Sequence, residues 1–225
     1  MKLLHALAWS SAFLATASQA DIRITEVAPY GSGFTTTYAA DWFELTNTGS
    51  TAVDITGWKM DDNSNSAALA VALRGVTSIA AGQSVVFLEG NATGTTDATI
   101  DAAFKLAWFG STVPASLVVA NYGGSGVGLG TTSDAVNIFD STGVLITRVD
   151  FGAATTGLSF DNTAGLNNVT LTQLSVLGAN GAFKSFNGAE TGSPGLAAAV
   201  PEPSQAVLSL LGVLGLLAWR RSRAG

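Results

Sequence analysis

Short runs of β-branched and aromatic residues, each closed by a turn-forming cluster, recur from position 22 onward and constrain the fold more than any other feature. Ile22, Ile24 and Glu26 alternate with Arg23, Thr25 and Val27, the period-two signature of a half-buried strand. Trp42-Phe43-Glu44-Leu45-Thr46 follows, and Asn47-Thr48-Gly49-Ser50 ends it with turn chemistry. Val53, Ile55 and Trp58 continue the pattern, and "SVVFLEG" (84–90) is a short apolar run stopped by glycine. The clearest hairpin is "DAVNIFDSTGVLITRVDFG" (134–152), in which Asp140-Ser141-Thr142-Gly143 joins two β-rich runs. A late strand is expected within Val169–Gly178. Short strands at this spacing, 26 glycines and little helical periodicity predict an all-β sandwich. One brief helical turn is expected at Ala102–Trp108. The glycine-dense Asn121–Asp134 lacks the GxxxxGK[ST] spacing of a phosphate cradle and is expected to be a mobile surface loop.

The residue inventory removes whole classes of chemistry. The chain has no cysteine and a single histidine, His5. That histidine sits in a segment with the layout of a secretory signal. Lys2 and His5 start it, Leu3–Ala17 is mostly apolar, and Ser18-Gln19-Ala20 offers small residues at the positions a signal peptidase reads. Cleavage between Ala20 and Asp21 would leave a mature chain with neither Cys nor His, so Ser-His-Asp and Cys-His catalysis and the common zinc sites are excluded. Between Asp21 and Val200 six basic residues face fifteen acidic ones, a net charge of −9 that repels nucleic acid. No cofactor is expected.

After residue 196 the composition changes. Residues 197–205 form a small-residue and proline linker, and Ala206–Trp219 is fourteen residues without charge. As a helix it covers about 21 Å, short of a hydrocarbon core of about 30 Å, which makes it a marginal single membrane helix. Arg220, Arg221 and Arg223 in the last segment, 220–225, are expected to stay cytoplasmic.

This tail resembles the PEP-CTERM sorting signal: Val200-Pro201-Glu202-Pro203, then a short apolar helix, then the basic cluster Arg220, Arg221 and Arg223. The resemblance implies recognition by exosortase after passage through signal peptidase and the general secretion machinery. It further implies a transient inner-membrane anchor and delivery to the cell surface or the extracellular space of a Gram-negative envelope, with biofilm and exopolysaccharide association. Residues 21–196 resemble a lamin tail domain, an immunoglobulin-like β-sandwich. "DIRITEVAP", "DWFELTN" (41–47), "TAVDITGWKMDD" (51–62), "IAAGQSVVFLEG" (79–90), "SDAVNIFDSTGVLI" (133–146) and Ser193-Pro194-Gly195 carry the likeness. Residues 91–132 match poorly, and Ala81-Gly82 stands where the family usually has Pro-Gly. That resemblance brings no catalytic motif.

Several residues invite sharper readings. Asp41, Glu44, Asp61 and Asp62 could furnish a glycosidase carboxylate pair, although Asp41 and Glu44 fall on opposite faces of a strand, and turn or edge positions account for them better. Asp61, Asn63 and Asn65 open like a calcium loop but lack its glycine and its closing glutamate, which leaves at most a loose surface site. Trp42 and Trp58 belong to the core motif; Trp108 is the better candidate for exposure, with packing still favoured. The combined expectation is an exported, non-enzymatic surface or matrix protein, meeting extracellular polysaccharide or surface proteins and no nucleic acid. The alternatives are a carboxylate-dependent polysaccharide-active enzyme and a permanently anchored periplasmic scaffold.

Overall fold

The computed structural model describes residues 21–29 and 37–196. Among them the elements are β1 (Ile22–Ala28), β2 (Trp42–Asn47), β3 (Val53–Asp54), β4 (Lys59–Asp61), β5 (Val71–Arg74), β6 (Ser78–Ile79), β7 (Ser84–Gly90), α1 (Asp97–Phe109), β8 (Val119–Gly123), β9 (Asp134–Phe139), β10 (Leu145–Phe151), β11 (Phe160–Asp161), β12 (Val169–Leu171), β13 (Phe183–Lys184) and β14 (Thr191–Gly192). Ten strands form one sheet in the order β11-β1-β2-β7-β8-β5-β4-β9-β10-β12. Its pairs are antiparallel except β7–β8 and β10–β12.

That sheet curls until its ends meet. β1 comes against β10, and the chain leaving β12 pairs back onto β11 through a bridge between Phe160 and Leu174. Asp161 N donates to Gln173 O and Ser175 N to Ser159 O, each at 2.9 Å. The result is a near-closed ten-stranded barrel, which corrects the expected immunoglobulin-like sandwich. The physical reason is that Ile24, Phe43, Phe87, Tyr122, Met60 and Val149, from strands all round the sheet, share one buried cluster. A twisted sheet of this size buries its inner face and protects its edges by closing on itself.

The strands themselves follow the pattern in the sequence. The predicted hairpin is present as β9 and β10. Asp140 Oδ1 accepts from Thr142 N at 2.8 Å and Val144 N at 2.9 Å, and Gly143 takes φ +86°, which a side chain would disfavour. The late strand is shorter than expected, since only Val169–Leu171 is regular. The predicted surface loop is also corrected: Asn121–Gly123 belongs to β8, and Val127 and Leu129 enter the core.

A second core lies outside the barrel. There α1 covers β1, β2, β7 and β8 through Trp42, Val86, Leu88, Phe104, Ala107 and Trp108. This helix has thirteen residues and starts earlier than the expected turn. Asp97 in its first turn complements the helix dipole and takes both Nε (2.6 Å) and Nη2 (2.8 Å) of Arg74. Below α1, the segment from β13 to Gly195, hereafter the strap, covers the rest of that outer face. Phe186 N and Asn187 N donate to the helix-terminal carbonyls of Trp108 and Ala107 at 3.0 Å.

Ala20, Val200–Pro203, the apolar segment Ala206–Trp219 and the arginines Arg220, Arg221 and Arg223 lie outside the described residues. Among the described residues no helix is long and apolar enough to cross a membrane. The expected membrane helix, the inner-membrane stage and the surface delivery by exosortase, with their biofilm association, are corrected accordingly. A fourteen-residue run falls about 9 Å short of a hydrocarbon core of about 30 Å, and the fold supplies nothing longer.

Candidate functional site

The most chemically loaded place in the domain is a pair of glutamates on the outer face of the barrel. Phe43 and Leu45 point into the core, so Glu44 between them points out. A bulge between Ile24 and Glu26 resets β1 so that Glu26 stands in register with Glu44. Outward does not mean exposed here: each is only 1 % accessible.

Hydroxyl and amide donors surround the pair. Glu26 Oε1 accepts from Ser193 N at 2.8 Å and from the Ser159 hydroxyl, and Oε2 accepts from Ser193 Oγ at 3.0 Å. Glu44 Oε1 accepts from Thr25 Oγ1 at 2.7 Å, and Oε2 accepts from Gly195 N at 2.6 Å. Thr46 Oγ1 lies 2.8 Å from Thr25 Oγ1 and 2.6 Å from Ser84 Oγ, and Ser159 Oγ lies 2.7 Å from Ser175 Oγ. Burial, and then the charge of Glu44 beside it, push Glu26 up to about 8. Burial raises Glu44 as well, against the donors that favour its ionised form. Among the described residues no cation acts on either carboxyl.

A second buried acid sits further along the strap. Tyr38 Oη donates to Glu190 Oε1 at 2.5 Å, and Trp42 Nε1 donates to Tyr38 Oη at 3.3 Å. Trp42 and Trp108 pack edge to face at 5.9 Å between centroids, and Phe183 of β13 meets Trp108 at 5.5 Å. These rings bury the junction between helix, barrel and strap.

The structure places the sequence candidates as follows. Asp41 and Glu44 are both buried, not on turns or edges. Asp61 is buried, with Oδ2 accepting from Ser64 Oγ and Ser66 N at 2.6 Å each; its Oδ1 has no partner among the described residues. Asp62 Oδ1 accepts from Ser64 N at 2.9 Å, a local turn contact. Asn63 and Asn65 are exposed while Asp61 is not, and among the described residues no group of three or more acidic or histidine side chains is placed to hold a metal ion. Trp42 and Trp58 are packed as expected, and Trp108 is buried under the strap. Glu26 was not singled out in the sequence. Its one signal is an acid inside an otherwise apolar and β-branched run, at a position that faces its counterpart in "WFELTN".

Two surface grooves lie among the described residues. One, of about 390 Å³, follows the barrel seam between β11 and β12, with Asp161, Asn162, Leu166, Val169 and Asn180 on its walls. The other, of about 440 Å³, lies where the chain leaves the domain, between residues 80–84, Ser116 and Leu196. The carboxyl pair of Glu26 and Glu44 can hold a proton and tie the strap to the barrel, and it lines neither of these grooves.

A family model described as Lamin Tail Domain matches residues 15–153 of the chain. No curated protein matches it.

Proposed function

The chain belongs to the lamin tail domain family, a non-catalytic structural domain, and on that premise we propose that it is an exported structural and binding module. In this reading the signal is cut between Ala20 and Asp21, residues 21–196 form the working domain, and the tail is trimmed around Val200, Pro201, Glu202 and Pro203. Ligands would meet the surface grooves and not the buried polar groups.

One observation carries the reading: Glu26 and Glu44, the carboxyls placed most nearly like an acid–base pair, are spent on holding the strap. Glycoside hydrolysis needs two carboxyls flanking a bound sugar and open to water, and these are sealed. Support for the N-terminal boundary comes from Asp21. Its carbonyl accepts from Thr48 N at 2.8 Å and Thr48 Oγ1 at 2.9 Å, and its carboxylate meets Arg23 at 2.6 Å.

The test has two arms on the full chain. Expressed in a secreting host, the recovered protein should begin at Asp21 and end near Pro203; retention of Met1 would sink the export reading. Incubated with a panel of soluble polysaccharides, wild type and Glu44→Gln should release reducing ends only at the background rate. Turnover by wild type that Glu44→Gln loses while keeping its melting temperature would establish an enzyme instead.

A further inference from the structure

The strap crosses the glutamate pair at a closeness that leaves no slack. A Cβ placed on Gly192 would lie 2.5 Å from Glu26 Oε1 and 2.8 Å from Ser159 Oγ, so the backbone runs directly against the carboxyl. Ser193 N, Ser193 Oγ and Gly195 N then supply three of the donors that satisfy the two acids. On the opposite side of β1 and β2 lies the apolar core of the barrel. Lifting the strap therefore opens a route for water to the pair.

Among the described residues no cation offsets the pair. From β2 Glu26 faces Glu44, and from β11 its register partner is Asp161, itself tied to Thr163 and Asn180. The strap contributes Glu190, bonded to Tyr38, and α1 contributes the neutral Trp108. Two ionised carboxylates in register, each only 1 % exposed and without a cation beside them among the described residues, repel strongly, so the closed arrangement requires at least one of them to keep its proton.

The strap carries little regular pairing of its own. β14 pairs with the two-residue β13 and bridges Leu158 through Thr191, and its backbone reaches the barrel through Thr191 N to Gly157 O at 2.8 Å and Ser159 N to Thr191 O at 3.3 Å. We propose that the strap is a proton-held latch: Glu26 and Glu44 share a proton while it is closed, and losing that proton frees β14 and Ser193–Gly195 from a barrel that stays folded. Ionisation of both acids demands hydration, and lifting the strap is the smallest motion that supplies it. The latch stands on the buried pair alone.

Hydrogen exchange read by mass spectrometry tests the latch on the full chain, with rates corrected for the intrinsic pH dependence of exchange. In wild type, peptides covering 183–196 should lose protection as pH rises above 8, by about tenfold per pH unit for one proton, while peptides of the β9–β10 hairpin stay protected. Glu26→Gln, which cannot ionise, should hold the strap closed at pH 9. Three results would overturn the proposal: equal strap protection at pH 6.5 and 9, loss of strap and hairpin together, or the same loss in Glu26→Gln. Should Glu26→Gln fail to fold, the wild-type comparison of strap against hairpin decides alone.

Discussion

Glu26 and Glu44 stand opposite each other on neighbouring antiparallel strands, each 1 % exposed, and between them they accept hydrogen bonds from Ser193 and Gly195, some 150 residues or more away in the chain. Like charges directly opposite in a sheet are destabilising, and burial makes the conflict worse. The arrangement is tolerable because a proton stays with the pair and because hydroxyl and amide donors satisfy the remaining lone pairs.

This pair sets the pH dependence of stability. Glu26 is raised above its ordinary value, to about 8, so between about pH 4.5 and 8 the folded chain binds a proton that the unfolded chain has released. The contribution is fully present below the unfolded value and is lost as pH rises through the folded one, with a slope of up to about 1.4 kcal/mol per pH unit. Urea midpoints taken from pH 5 to pH 8 should fall as pH rises, and Glu26→Gln should flatten the trend. A midpoint that climbs over this window would contradict the assignment. Asp54 and Asp140, held low by hydroxyl and backbone donors, lose their contribution only as pH falls below the ordinary carboxylate range, outside this window.

Gly192→Ala separates crowding from backbone strain. The added methyl meets Glu26 Oε1, Ser159 Oγ and, at 3.1 Å, the ring of Trp108. The overpacking should cost about 1–3 kcal/mol, read as a lower melting temperature. A neutral effect would show that the strap does not seat against the pair.

Trp108→Ala removes the ring that joins helix, barrel and strap. The ring is 1 % exposed and packs on Trp42 and Phe183. A loss of about 3–5 kcal/mol in chemical denaturation is expected. A loss below about 1 kcal/mol would mean the outer core carries little of the stability.

Asp140→Ala strips the β9–β10 turn of its side-chain acceptor. Asp140 is exposed at the turn and takes Thr142 N, Thr142 Oγ1 and Val144 N. The variant should melt slightly earlier than wild type, with faster exchange confined to residues 139–145. Unfolding of the whole barrel would contradict a local role.

The local elements were legible in the sequence because their causes are local. An Asp-Ser-Thr-Gly turn between β-rich runs gives the β9–β10 hairpin wherever it occurs, and Trp42 and Trp58 sit in runs that need a core. The closure of the sheet was not legible. Whether β11 and β12 meet depends on twist accumulated over ten strands; the late strand that holds β12 was legible, but the two-residue β11 carries no signal of its own. Helix α1 was foreshortened because its buried side includes small alanines, Ala103 and Ala107, that weaken the apolar stripe. Glu26 is not singled out by the sequence and Glu44 reads as a turn or edge carboxylate; both leave the inner face of the barrel and are buried. What covers them is a strap from the far end of the domain, and no spacing near position 26 or 44 announces it. Trp108 packs, as the sequence favours, against Phe183 of the strap, and Asp41 is buried where a turn or edge position is expected.

The measurement closest to the central claim is a side-chain carboxyl titration by carbon NMR on glutamate-labelled protein, with Glu26→Gln and Glu44→Gln assigning the two signals. The account predicts a pair that still holds a proton at pH 7 and releases it near pH 8, in step with loosening of residues 191–195. Two signals fully ionised at pH 7, with the strap still closed, would contradict it.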